Sequence, residues 1–299
     1  MQPKGAYSGH LIRSLLAVGR AMFGIVIALL VAIAIFTLAT VRESMVERLF
    51  IFFPTRSLDY LPSQMGLDCR EIFFTTADGI RLHAWYAPAG ATAPVILHCH
   101  GNGGNISHRL GLMAALQRVG FGVFLFDYRG YGLSQGTASE TGVYEDARAA
   151  YRYLVEELHL PPDRIVIAGH SLGGVVAAKL AAEVPARALI IESTFTNVGD
   201  MARQHYFWLP TRRLWADKFN ALKWLRDAPI PKLVVHGARD DIVPYHLGQK
   251  LYDLAAEPKT FHTVTGAGHN DLYEVGGEAY FLFLKSFIEK APEKSLAKK

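Results

Sequence analysis

The sequence predicts an α/β fold built on a mostly parallel sheet with helices on both faces and a nucleophilic serine on a strand-to-helix turn. Three observations carry that expectation. Short runs rich in β-branched and aromatic residues at 95–98, 122–126, 164–168, 188–191, 233–235 and 260–264 alternate with helix-period stretches such as 142–158, 175–183 and 245–254. Apolar strands alternating with helices imply a parallel sheet covered on both sides. Two further runs, 70–76 and 80–87, flank Asp78-Gly79, a hairpin signal that places an antiparallel entry to the sheet. Finally, Gly169-His170-Ser171-Leu172-Gly173-Gly174 stands directly after one strand and opens a helix of small residues.

Taken in chain order, residues 1–20 form an N-terminal tail, and 21–41 (AMFGIVIALLVAIAIFTLATV) carry no charge between Arg20 and Arg42. That run is long enough to cross a bilayer as a helix. Thr37-Leu38-Ala39 weakly resembles a signal cleavage site, but the apolar run exceeds a usual signal core, so an uncleaved anchor is the reading. Lys4, Arg13 and Arg20 before the segment balance Arg42, Arg48 and Arg56 after it. The expectation is a single-pass membrane protein with a cytoplasmic N-terminus and an extracytoplasmic catalytic domain. In the linker 42–67, Met45, Val46, Leu49, Phe50, Phe52 and Phe53 either lie in the membrane interface or are buried by the following domain. That domain spans 68–291, and a lysine-rich tail closes the chain at 292–299. Between strand candidates, 196–230 carries His205, Tyr206, Phe207, Trp208, Trp215, Phe219 and Trp224 and reads as a small helical lid.

Composition narrows the function. A net charge of +4 without basic runs interleaved with aromatics argues against nucleic acid and suits an anionic membrane surface. Hydrophobic residues at 51% agree with an additional greasy segment. Cys69 and Cys99 lie in or beside apolar strands and read as free packing thiols.

Acyl-transfer chemistry needs an activated nucleophile, a base and an orienting acid. Ser171 sits in the strand–turn–helix context that a G-x-S-x-G motif requires. A decoy, Gly132-Leu133-Ser134-Gln135-Gly136, lies several residues past its strand in a loop. Among the histidines, His269 stands on a glycine-rich loop after the last strand. His262 reads as a packing residue within that strand, His246 opens a helix, and His236 ends a strand. For the acid, Asp240, Asp241 and Glu192 all lie after strands, and spacing alone does not separate them. Oxyanion donors are expected from the Leu172 amide and the loop His100-Gly101-Asn102-Gly103-Gly104-Asn105, with Asn102 chosen and Gly103 its close competitor. That loop lacks the Lys-Ser/Thr of a P-loop, which argues against nucleotides. His98-Cys99-His100 has no carboxylate or further thiol nearby in sequence, which makes a metal site a weak prospect.

Together these stretches resemble the membrane-anchored α/β hydrolases related to yeast bud-emergence protein, a subgroup of the α/β-hydrolase-domain-containing proteins. The matching segments are 100–105 (HGNGGN) with Ser107-His108-Arg109, 127–132 (DYRGYG), 169–174 (GHSLGG), 192–195 (ESTF), 236–244 (HGARDDIVP) and 268–271 (GHND). The resemblance implies the α/β-hydrolase fold with an eight-strand sheet, a triad of Ser171, His269 and Asp240, and a structural role for Asp127, Arg129 and Tyr131. The expected activity is hydrolysis of a carboxylic ester or thioester of a lipophilic acyl group, without a cofactor. The expected partners are a small-molecule or lipidated acyl substrate and the bilayer. A serine peptidase of the same fold and a non-catalytic membrane-tethered interaction module are the alternatives.

Overall fold

The computed structural model describes residues 22–23, 25–34, 50–205 and 217–291. They fall into two units, Met1–Ile51 and Phe52–Lys299. In the first, 22–23 and 25–34 are helical with exposed apolar side chains such as Phe23, Leu29 and Ile33. Among the described residues, no helix is long and apolar enough to cross a membrane. The tail 1–20, residues 21, 24 and 35–41 of the expected span, linker residues Met45, Val46 and Leu49, and the tail 292–299 lie outside them.

In the second unit the apolar runs pair as strands. The entry hairpin joins β1 (Arg70–Thr75) to β2 (Arg81–Ala87). Its turn follows from the sequence: Gly79 takes φ +82°, and the Thr76 hydroxyl is 2.5 Å from Asp78 Oδ1. Six strands follow: β3 (Val95–Cys99), β4 (Gly122–Phe126), β5 (Ile165–His170), β6 (Ala188–Glu192), β7 (Lys232–Gly237) and β8 (Lys259–Val264). They form one eight-stranded sheet in the order β8-β7-β6-β5-β3-β4-β2-β1. The pairs from β4 through β3 to β8 are parallel, and β2 joins β4 antiparallel. Every residue of β3, β4, β6 and β7 is buried, as strands covered on both faces must be.

Helices α1 (Leu110–Arg118), α2 (Glu140–Arg152), α3 (Leu172–Ala181), α4 (Val198–His205), α5 (Ala221–Asp227), α6 (Tyr245–Leu254) and α7 (Leu272–Lys290) connect and cover the strands. Leu110, Met113 and Leu116 of α1 join Tyr280, Leu284 and Ile288 of α7 in one core with Ile96, Val166, Ile190 and Leu233 of the sheet. α2 starts two residues before its apolar pattern because Ser139 caps it, its hydroxyl accepting from the Gly142 amide at 3.2 Å. The last part of that pattern, Tyr153–Glu157, is a π turn.

Two of the sequence expectations gain detail here. Phe219, expected in a lid, is fully buried: Phe52 and Tyr144 pack on its ring with centroids 5.9 and 6.0 Å away. Trp224 lies under Lys179 of α3, whose Nζ is 3.6 Å from the ring centroid. These two aromatics therefore fasten the described part of the insertion that carries them to the body. Tyr206, Phe207, Trp208 and Trp215 lie outside the described residues. In the linker, Phe52 is core whereas Phe53 is 53% exposed. Phe53 and Pro54 pair in parallel with Gly103 and Gly104, and Asn105 Nδ2 donates to the Thr55 and Ser57 carbonyls at 3.0 and 2.6 Å.

The DYRGYG turn after β4 ties these parts together. The Arg129 amide and Nε donate to buried Asp146 of α2 at 2.7 and 2.9 Å, while its Nη atoms reach Asp78 of the hairpin at 2.8 and 3.1 Å. The Tyr131 hydroxyl donates to the Asn102 carbonyl at 2.7 Å, so the same turn steadies the glycine-rich loop after β3. Removing Asp146 takes the acceptor from the Arg129 amide and Nε and leaves the guanidinium with Asp78 alone. Asp146→Ala is expected to lower stability by about 1–3 kcal/mol, read as a shift in the denaturant midpoint at unchanged slope.

Candidate active site

The backbone around Ser171 explains its glycines. β5 ends at His170 and α3 begins at Leu172, which leaves Ser171 at φ 54°, ψ −119°. A non-glycine residue in that region is strained and persists only where its surroundings hold it. The Ser171 amide donates to the Glu192 carbonyl at 2.8 Å, and its own carbonyl accepts from the Gly174 amide at 3.1 Å. A Cβ at Gly169 would strike the Gly173 carbonyl, and one at Gly173 would strike the Cys99 and His100 carbonyls. Side chains at either position would push α3 off the sheet and relax the turn.

Ser171, Asp240 and His269 are all buried to within 8% exposure or less. His269 Nδ1 lies 2.8 Å from Asp240 Oδ2. An ionised carboxylate only accepts, so Nδ1 carries the proton and Nε2 is the basic nitrogen. Burial alone would raise the Asp240 carboxyl. Hydrogen bonds from His236, His269 and the Val243 amide outweigh it and hold the acid well below the usual carboxylate range. Asp240 Oδ1 receives the Ile242 and Val243 amides at 3.0 and 2.7 Å. Asp241, its neighbour, is exposed. Glu192 faces elsewhere, accepting from the Tyr273 hydroxyl at 2.5 Å and from Tyr280. Burial pushes its carboxyl up.

His236 is the buttress that sequence reasoning missed. Its Nε2 donates to the Val243 carbonyl at 2.8 Å and lies 3.4 Å from Asp240 Oδ2. A strand-end histidine four residues before an aspartate carries no motif that would mark it. The acid and histidine loops are also stitched directly, with the Arg239 amide donating to the Ala267 carbonyl at 2.8 Å. His262 is stacked on Phe283 at 4.0 Å, the packing role its strand position suggests.

The loop after β3 crosses the nucleophile closely. A Cβ built on Gly101 would lie 3.8 Å from Ser171 Cβ and 3.3 Å from His170 Nδ1. The Asn102 carbonyl is pinned by Tyr131 Oη and by the Phe53 amide at 2.9 Å. Leu172 is the first residue of α3, a position whose amide has no acceptor within its own helix. Arg109 Nη2 holds the Gly103 carbonyl at 3.2 Å. Ser134 sits in a different environment: its hydroxyl donates to the Asp127 carbonyl at 2.7 Å and accepts from the His83 amide at 2.9 Å. Cys69 and Cys99 are free thiols.

A mixed eight-strand sheet with a strained serine at the end of its fifth strand, and an aspartate–histidine pair from the loops after its seventh and eighth strands, defines an α/β hydrolase. The comparisons with known proteins agree. Residues 94–223 match the family described as alpha/beta hydrolase fold. The α/β hydrolase domain-containing protein WAV2 of Arabidopsis thaliana is 34% identical, over 80% of this chain and 85% of its own. The lysophosphatidylserine lipase ABHD12 of Danio rerio is 32% identical, over 78% of this chain and 69% of its own. The Pyrococcus furiosus esterase Pf2001 shares the fold at a TM-score of 0.67 and 20% identity, over 81% of this chain and 98% of the esterase. The chain belongs to the α/β-hydrolase family.

Proposed function

We propose that this protein hydrolyses a carboxylic ester or thioester of a lipophilic acyl group through Ser171, His269 and Asp240. The observation that carries the proposal is the order of the parts: a carboxylate held ionised, 2.8 Å from Nδ1 of a histidine whose carbonyl is hydrogen-bonded to the residue before a serine kept at positive φ on a strand-to-helix turn. Ser171 Oγ attacks the carbonyl carbon as His269 Nε2 takes its proton. The amides of Leu172 and Asn102 receive the negative oxygen. Collapse expels the alcohol or thiol, which takes the proton back from His269. A water, deprotonated by the same nitrogen, then releases the acid and restores the serine.

Substrate class rests on two supports. Phe53, Tyr60, Leu61 and Met65 are each about half exposed on the segment that runs beside the glycine-rich loop, an apolar margin suited to acyl chains. One relative is named a lysophosphatidylserine lipase. With residues 21–41 as an anchor, the protein would meet such substrates at a bilayer, catalytic domain on the extracytoplasmic side.

The test uses the full chain in micelles. A fluorophosphonate probe should label the wild type, and lysophospholipids, long-chain p-nitrophenyl esters or acyl thioesters should be cleaved faster than short peptides. Preferential release of amino acids from peptides would sink the ester reading, and absence of labelling would favour a non-catalytic tethered module.

A further inference from the structure

We propose that His170, the residue before the nucleophile, is a positioning residue that clamps the catalytic base. This inference rests on the serine-hydrolase reading above. His170 Nε2 is 2.9 Å from the main-chain carbonyl of His269. A carbonyl oxygen only accepts, so Nε2 carries the proton and donates. The two rings lie against each other, with centroids 4.9 Å apart and planes at 52°. His170 is bonded directly to Ser171. The hydrogen bond therefore closes a short circuit from the serine, through one residue, to the backbone that carries the base. Asp240 fixes the Nδ1 end of the His269 ring, and His170 fixes its main chain. Held at both ends, the His269 ring has little freedom to move relative to the turn that carries Ser171.

The hydrogen bond would survive either charge state of His170, but the reaction is served by a neutral ring. A charged ring there would oppose the imidazolium that His269 becomes as it takes the serine proton. Burial, then the neighbouring His269 and the Arg109 guanidinium, hold His170 down to about 3 against the pull of the His269 carbonyl and the Asp240 carboxylate. Arg109 donates to the Gly103 carbonyl. Gly101, whose Cβ position would be 3.3 Å from His170 Nδ1, leaves no room for a larger side chain beside the ring. Nothing in a G-x-S-x-G pattern assigns a task to its second residue, and the task appears only when the last loop folds over the turn.

The side-chain amides offer a discriminating test. The Nε2 of glutamine overlays imidazole Nε2, whereas the Nδ2 of asparagine overlays Nδ1 and falls short of the His269 carbonyl. His170→Asn is expected to lower kcat by roughly 10–100-fold, the scale of an ångström of misplacement, with KM within about twofold. Fluorophosphonate labelling should slow by the same factor. His170→Gln should stay within about threefold of the wild type in both readouts. All rates are normalised to the folded fraction found by thermal melting. Equal losses in both variants would assign His170 to ring packing, and wild-type rates in both, or a change confined to KM, would equally overturn the clamp. Failure of the wild type itself to react with the probe would strike the serine-hydrolase reading instead.

Discussion

Replacement of Ser171 by alanine is expected to lower ester hydrolysis by on the order of 10⁵–10⁶-fold, because no other group can form the acyl-enzyme. Labelling by a fluorophosphonate should vanish with it. Fold and stability should change little, since the Ser171 amide and carbonyl, not its hydroxyl, make the bonds that hold the turn. Ser134→Ala should give the opposite pattern. Its hydroxyl is fully buried between the Asp127 carbonyl and the His83 amide, so its loss leaves both unpaired and costs about 1–3 kcal/mol of stability. Turnover per folded molecule should remain close to wild type. Parallel collapse of activity in both variants, after correction for folded fraction, would refute the choice of nucleophile.

The two serines also show how far the sequence could be read. Both satisfy the same five-residue pattern, and what separates them is the element on either side: Ser171 ends a strand and starts a helix, whereas Ser134 lies in a loop. Strand positions were legible because continuous apolar runs in a doubly covered sheet differ from helix periods, and six predicted strands are met within one or two residues. The π turn after α2 was not, because its five residues continue the same amphipathic pattern. The packing of Phe219 was not legible either, because aromatic content alone does not say which way a ring points. Its exclusion from solvent depends on Phe52, distant in sequence and approaching from the linker. The same limit hid His170 and His236. Each acts through a main-chain carbonyl, His269 for the one and Val243 for the other, and a carbonyl leaves no trace in residue identity.

Asp240 and Asp241 are the adjacent pair that spacing could not divide, and their substitution should divide them sharply. Asp240→Asn is expected to reduce kcat by about 10⁴-fold, since an amide in place of the carboxylate lets His269 hold the wrong tautomer and gives no charge to its imidazolium. Asp241→Asn, altering an exposed side chain, should leave kcat within about twofold. Stability adds an independent signature. Burial opposes ionisation of Asp240, but the bonds from His236, His269 and the Val243 amide prevail, and its native pKa lies below the unfolded value of about 3.9. A depressed carboxyl contributes stability that is fully present above the unfolded pKa and fades as pH falls through the native one. The wild type should therefore exceed Asp240→Asn in denaturant midpoint at pH 6–7, and the gap should narrow steadily as pH drops below about 4. A gap that is constant with pH, or an equal loss of kcat in Asp241→Asn, would remove Asp240 from the triad. Asp241 and Glu192 would then be the remaining candidates, although two tyrosine partners already occupy the Glu192 carboxylate.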